Sequence, residues 1–118
     1  MPDFQVIFFE KTNGEVPVEL FLDSLSAKMS AKMARSISAL QKHGNELREP
    51  YFKHLEDGIF ELRAQIGSDI SRVFYFFFFG KRAVLTHGII KKTQKTPASE
   101  IERAKSYRKI YIKREGEA

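Results

Sequence analysis

Cysteine is absent from this 118-residue chain, which excludes disulfides and thiolate metal sites. Histidine is scarce. His43, His54 and His87 are the only three, and none stands at a metal-ligand spacing from another, so no zinc site or other metal site is expected. Long apolar segments are missing too. The longest, Val73 to Phe79, falls far short of the roughly 20 residues that cross a bilayer. The opening residues, MPDFQVIFFEK, lack the basic start and extended apolar stretch of a secretion signal. The expectation is a soluble cytoplasmic protein with no membrane partner. Repeats, low-complexity tracts and linkers are absent as well, so residues 1–118 read as a single domain. A domain of this length buries roughly two-thirds of its unfolded surface, enough for one core without covalent staples.

What the chain does contain is positive charge and aromatic strand sequence. Lys and Arg number 20 against 15 Asp and Glu, giving a net charge of +5. A basic balance favours polyanions through counterion release. The distribution adds weight: Lys81, Arg82, Lys91, Lys92 and Lys95 follow one another with no acid among them, and Arg72 lies just upstream. The acids fall mostly between Glu10 and Asp23, between Glu46 and Glu61, and in the tail.

Patterning predicts an α+β domain. Phe4 to Phe9 is rich in β-branched and aromatic residues and reads as an N-terminal strand. Pro17 opens a short helix with Val18, Phe21, Leu22 and Leu25 at helical spacing. Ser26 caps a second helix whose stripe is Met29, Met33, Ile37 and Leu40, and Gly44 sits at its C-cap. Asn45 to Leu55, with Pro50, reads as a loop. Ile59 to Ile66 alternates as a half-buried strand. Ser71 to Phe79 is apolar on both faces beyond Arg72 and belongs at the centre of a three-stranded antiparallel hairpin sheet. Gly80-Lys81 suits a two-residue turn into Ala83 to Ile90. Thr96 caps a C-terminal helix from Pro97 to Lys113.

Strand register gathers the cations. A turn at Gly80-Lys81 sets Arg72 opposite Ile89 and Phe74 opposite His87, with Lys91 on the same face. A turn centred on Ser68-Asp69 sets Gln65 opposite Arg72 and leaves Arg63 on that face. Arg63, Arg72, His87 and Lys91 then share one side, on condition that the register does not slip by one residue. Guanidinium groups bind phosphate oxygens bidentately. Cleavage of RNA by its own 2′-hydroxyl needs a base, cations for the phosphorane and an acid, but no metal. RNA is therefore the first partner considered. Each of these residues also has an ordinary structural role available. The phenylalanine run reads primarily as core, the arginines as ion-pair residues, Lys91, Lys92 and Lys95 as a solvated connector, and His87 as a packed histidine. Lys53 and His54 are further phosphate-binding candidates in the loop.

Several segments together resemble one family. FLDSLS (Phe21 to Ser26), KHLEDGIFELR (Lys53 to Arg63), RVFYFF (Arg72 to Phe77), HGIIKKTQKTP (His87 to Pro97) and EIERA (Glu100 to Ala104) are similar to the RelE/ParE superfamily of toxins from type II toxin–antitoxin modules, in its phage-derived, HigB-like branch. The resemblance implies a RelE-like, microbial-ribonuclease-like fold and a ribosome-dependent, metal-independent mRNA endonuclease, with no cofactor. It implies mRNA and the ribosome with its 16S rRNA as partners, and a helix-turn-helix antitoxin that masks the toxin. Arg72 resembles the arginine that stabilises the transition state, Arg63 the upstream phosphate-binding arginine, and Lys91 and Lys92 the basic pair that supplies the acid. Lys95, Lys53 and His54 complete the expected RNA-binding set. Where relatives carry basic residues on the strand before Leu-Arg, this chain has Ile59 and Glu61, so Glu61 and His87 remain alternatives for the base. No tyrosine lies between Tyr75 and Tyr107, which leaves Tyr107 as the stacking candidate. Two other functions fit the resemblance: a non-catalytic, ParE-like inhibitor of DNA gyrase and a phage accessory binding protein.

Overall fold

The computed structural model describes residues 4–49 and 51–116. Along the chain run β1 (Gln5–Phe8), α1 (Pro17–Ser24), α2 (Ala27–His43), a 3₁₀ turn (Gly44–Glu46), β2 (Phe52–Glu56), β3 (Ile59–Ile66), β4 (Asp69–Phe78), β5 (Arg82–Lys91) and α3 (Ala98–Gly116). The strands form one five-stranded sheet in the order β1-β5-β4-β3-β2. β1 runs parallel to β5 and the other neighbours are antiparallel. The sheet is thus mixed and wider than the predicted three-stranded hairpin.

Helices cover both faces. Pro17 opens α1 and Val18 is its buried residue. Ser26 caps α2 by accepting from the Met29 amide at 3.1 Å, and Gly44 ends it at φ 57°, in the left-handed region that glycine adopts without strain. The α2 stripe of Met29, Met33 and Leu40 is buried against Leu62, Ala64, Val73, Tyr75, Ala83 and Leu85. α1 lies so close to β5 that a Cβ on Gly88 would come within 2.3 Å of the Phe21 ring. On the opposite face Phe74, Phe76, Val84 and Ile59 pack with Ala104 and Tyr111 of α3.

The hairpins explain both what the register argument gets right and what it misses. Arg72 does face Ile89, and Phe74 does face His87. Nearer the turn, however, Phe78 pairs with Arg82, so the connection is Phe79-Gly80-Lys81 rather than two residues. A bulge at Thr86 restores the register before Arg72 is reached. Between β3 and β4 the turn is Gly67-Ser68, which places Arg63 rather than Gln65 opposite Arg72. That is a shift of two positions, and it leaves the faces unchanged. Phe79 does not join the core; at the hairpin tip it is 85% exposed.

The segment expected to be a loop from Asn45 to Leu55 contains β2, whose Lys53 faces Glu61; Pro50 lies outside the described residues. Asp57 and Gly58 both have positive φ, 51° and 75°. That is the geometry of the tight hairpin turn favoured by an Asp-Gly pair, and it is the sequence signal that would have revealed β2. Among the described residues no helix is long and apolar enough to cross a membrane.

Candidate functional site

The buried ionisable residues Glu61, Arg72 and His87 of the sheet gather on the α3 face. β3 and β4 set Arg63 and Arg72 directly opposite one another, and between them lies a single carboxylate. Glu61 is fully buried. Its Oε2 accepts from Arg63 Nε and stands 3.4 Å from Arg72 Nε, an ion-pair distance rather than a well-formed hydrogen bond. Its Oε1 accepts from the Thr96 hydroxyl at 2.5 Å. Thr96, expected as the cap of α3, therefore spends its hydroxyl on Glu61. One acid serves two guanidinium groups, so the cluster keeps a net positive charge.

Arg72 is wholly buried as well. Its Nη2 donates to the Thr93 and Gln94 carbonyls, the latter at 3.0 Å, and Gln94 O also accepts from Arg63 Nη2 at 3.0 Å. Arg72 Nε and Nη1 make no hydrogen bond. Burial pulls the Arg72 guanidinium below its ordinary value; Glu61 opposes that shift, and the neighbouring Arg63 adds to it. Such a group remains charged, because arginine is not deprotonated in proteins, and its idle donors suit an anion better than they suit solvent-free packing.

The next residues along the connection from β5 to α3 turn outward. Gln94, Lys95 and Thr96 form one wall of a cavity of about 380 Å³, and Lys53, His54 and Leu55 of β2 form the other, with Ile101 of α3. Three residues singled out in the sequence, Lys53, His54 and Lys95, thus line one cavity beside the arginine pair, with the side chain of Lys53 on the arginine face and that of His54 on the other. The His54 ring rests against Phe60, with 4.8 Å between centroids.

The remaining candidates lie elsewhere. Lys91 ends β5, exposed and paired with Ile70. Lys92 is exposed and forms an ion pair with Asp69 at 3.3 Å. His87 shares the face of Arg72 but is sealed into the packing. It stacks on Phe74 at 4.7 Å and meets Tyr107 edge-on at 5.6 Å. Its Nε2 is 3.0 Å from Glu100 and its Nδ1 3.1 Å from Thr86. Burial pushes the imidazole down to about 4, with Glu100 opposing the shift and Arg103 adding to it, so it is neutral near pH 7. Tyr107 packs on Phe9 at 4.8 Å. Phe74 and Phe76 are buried, which leaves them no face for a stacked base. Among the described residues no group of three or more His, Asp or Glu side chains is placed to hold a metal ion.

Sequence reasoning missed the roles of Glu61 and Thr96, and the main-chain cover from Thr93 and Gln94. A lone acid two residues before Arg63, on the same strand face, was the available signal for Glu61. Carbonyl positions leave no such trace.

No curated protein matches this chain significantly. A family model described as Phage derived protein Gp49-like (DUF891) matches residues 20–109, a span that runs from α1 into α3 and takes in Glu61, both arginines and the whole cavity. The chain belongs to this phage-derived, Gp49-like family.

Proposed function

We propose that this chain is the toxin of a type II toxin–antitoxin module and acts as a metal-independent endoribonuclease on mRNA in the ribosomal A site. Its partner in this reading is a helix-turn-helix antitoxin. The observation that carries it is the pairing of Arg63 with Arg72 over one carboxylate. Setting a wholly buried Arg72 and a partly buried Arg63 against a single carboxylate is unfavourable for stability alone, and it leaves positive charge and free donors beside a cavity lined by further basic groups.

The chemistry follows from that geometry. The substrate's 2′-oxygen attacks the adjacent phosphorus while the bond from phosphorus to the 5′-oxygen breaks. The products are a 2′,3′-cyclic phosphate and a 5′-hydroxyl end. The 2′-proton passes to a base and the leaving oxygen takes one from an acid. Arg72 and Arg63 neutralise the charge that grows on the phosphorane oxygens. Lys95, on the cavity wall, is the acid of this reading and Lys53 holds a neighbouring phosphate, while the His54 ring, resting on Phe60, lies on the α1 and α2 side of the sheet and takes no part in proton transfer. Lys91 and Lys92 sit beyond the arginines as exposed cations for the flanking backbone. His87 serves packing rather than proton transfer.

The test is induction of the protein in cells, followed by mapping of mRNA 5′ ends. New ends inside reading frames are expected, and Lys95→Ala should reduce them about 100-fold. Intact messages during growth arrest would overturn the endonuclease reading. One observation favours a second: Arg72 is covered by main chain, as suits a ParE-like toxin that inhibits DNA gyrase without cutting RNA. That reading predicts loss of supercoiling with intact mRNA.

A further inference from the structure

A guanidinium binds phosphate only by contact, yet no part of Arg72 reaches solvent. What covers it is a short stretch of main chain. The Thr93 and Gln94 carbonyls accept from Arg72 Nη2, Gln94 O also takes Arg63 Nη2, and two residues on Thr96 is fastened to Glu61. The side chains of Thr93, Gln94 and Lys95 are exposed, and Thr96 alone is buried. The stretch therefore hangs across the arginines, held by its carbonyls and by one buried side chain, and its outer side is a wall of the Lys53, His54 and Lys95 cavity.

The geometry points to a self-occluded oxyanion site: residues 93–96 form a strap whose carbonyls stand where phosphate oxygens bind, latched by Thr96 on Glu61. A substrate phosphate enters from the Lys53, His54 and Lys95 cavity and displaces the strap to reach Arg63 and Arg72. This rests on reading the two arginines as phosphate ligands, but not on RNA cleavage. Two neutral carbonyls satisfy a guanidinium less well than an anion does, and Nη1 has no acceptor while the strap is closed. Exchange of carbonyls for phosphate is therefore favourable once the latch opens. While it is closed, apparent affinity is reduced by the fraction of molecules that are open.

Thr96→Val keeps the shape of the latch and removes its hydroxyl. The probe is a short 2′-O-methyl oligoribonucleotide, which has no attacking hydroxyl and stays intact. The variant is expected to bind it about 5- to 10-fold more tightly than the wild type, with amide exchange at residues 93–96 faster by a similar factor. Faster exchange with unchanged or weaker binding overturns the strap, as does binding of the probe to neither protein. In case the variant fails to fold, the wild type supplies its own test. Saturation with the probe must shift the amide resonances of residues 93–96 and the Arg72 Nε–H resonance, and binding that leaves them in place overturns the proposal. Unmodified mRNA on programmed ribosomes separates the two ideas: tighter probe binding without cleavage of that mRNA by either protein keeps the strap and removes the endonuclease.

Discussion

The two faces of the one sheet are built by different rules. Under α1 and α2, the strands contribute Leu62, Ala64, Val73, Tyr75, Ala83 and Leu85, all buried among the apolar residues of the helices. Under α3, the same strands contribute Phe76 and Val84 toward one end and Arg63 and Arg72 toward the other, with Phe74 between Glu61 and His87 in the row that separates them. The cover differs as well. α3 buries only Ile101, Ala104 and Tyr111 and is fastened at its rim by Lys105 to Glu56, Arg108 to Asp57 and Arg82 to Glu115, partly exposed pairs of the kind that contribute roughly 0–1 kcal/mol each. One face is a core that holds the fold. The other is an ionic centre under a lightly attached helix, which is where chemistry and movement can be accommodated without unfolding the rest.

The largest expected effect comes from breaking the ionic centre. Glu61→Gln leaves two guanidinium groups without their carboxylate and should destabilise the protein by about 3–5 kcal/mol, read from the urea midpoint. Replacing the buried charges together, as Glu61→Leu with Arg72→Met, should recover most of that loss, because apolar packing substitutes well for buried ion pairs. It should also abolish probe binding. A double variant as unstable as Glu61→Gln would show that the charges hold the fold, and the contrast between the faces would fail.

On the other face, Leu62→Ala removes a fully buried side chain and should cost about 3 kcal/mol through lost transfer energy and a cavity. Affinity for the oligonucleotide probe, measured well below the unfolding midpoint, should not change. A loss of affinity in step with the loss of stability would mean that the apolar face also positions the arginines.

His87 sharpens the comparison through pH. Its folded value near 4 lies below the ordinary 6.5, so the unfolded chain binds a proton that the folded chain excludes. The stabilisation is complete above pH 6.5 and is lost as pH falls towards 4, by about 3 kcal/mol for a shift of this size. The charged groups nearest the ring are Glu100 and Arg103. His87→Gln should flatten the slope of stability between pH 6.5 and 4 relative to the wild type. An unchanged slope would place the titration elsewhere.

Much of this contrast could be read from the sequence because strand alternation depends only on parity. The turn between β3 and β4 was misplaced by one residue, which shifts the pairing by two, and so Arg63 kept its face. The turn between β4 and β5 is one residue longer than expected, a pairing shift of one that would have reversed every face of β5, but the Thr86 bulge compensates before Arg72 is reached. Helix α2 was legible from its cap, its stripe and its terminal glycine. What could not be read was what depends on main chain and on distant partners: the parallel seat of β1 beside β5, the carbonyls over Arg72 and the Thr96 hydroxyl on Glu61. β2 is a different case, since its Asp-Gly turn was present in the sequence and its short, mostly polar strand was passed over as loop.

The smallest change in stability should accompany a large change in function. Lys95 is exposed on the connection to α3, and its side chain lines the cavity without contributing to either hydrophobic cluster. Lys95→Ala should leave the urea midpoint within about 0.5 kcal/mol of the wild type, as surface substitutions do. Lys53→Ala should behave alike. If each lysine neutralises a phosphate of the bound strand, the slope of log affinity against log salt should fall by about 0.7 per lysine removed. Glu61→Gln, by contrast, should alter stability first and binding as a consequence. Should Lys95→Ala lower stability as much as Leu62→Ala does, the cavity would belong to the core. Should it leave both stability and the salt slope untouched, the strand would not run through the Lys53, His54 and Lys95 cavity, and the route to the arginines would have to be sought on the side of Lys91 and Lys92.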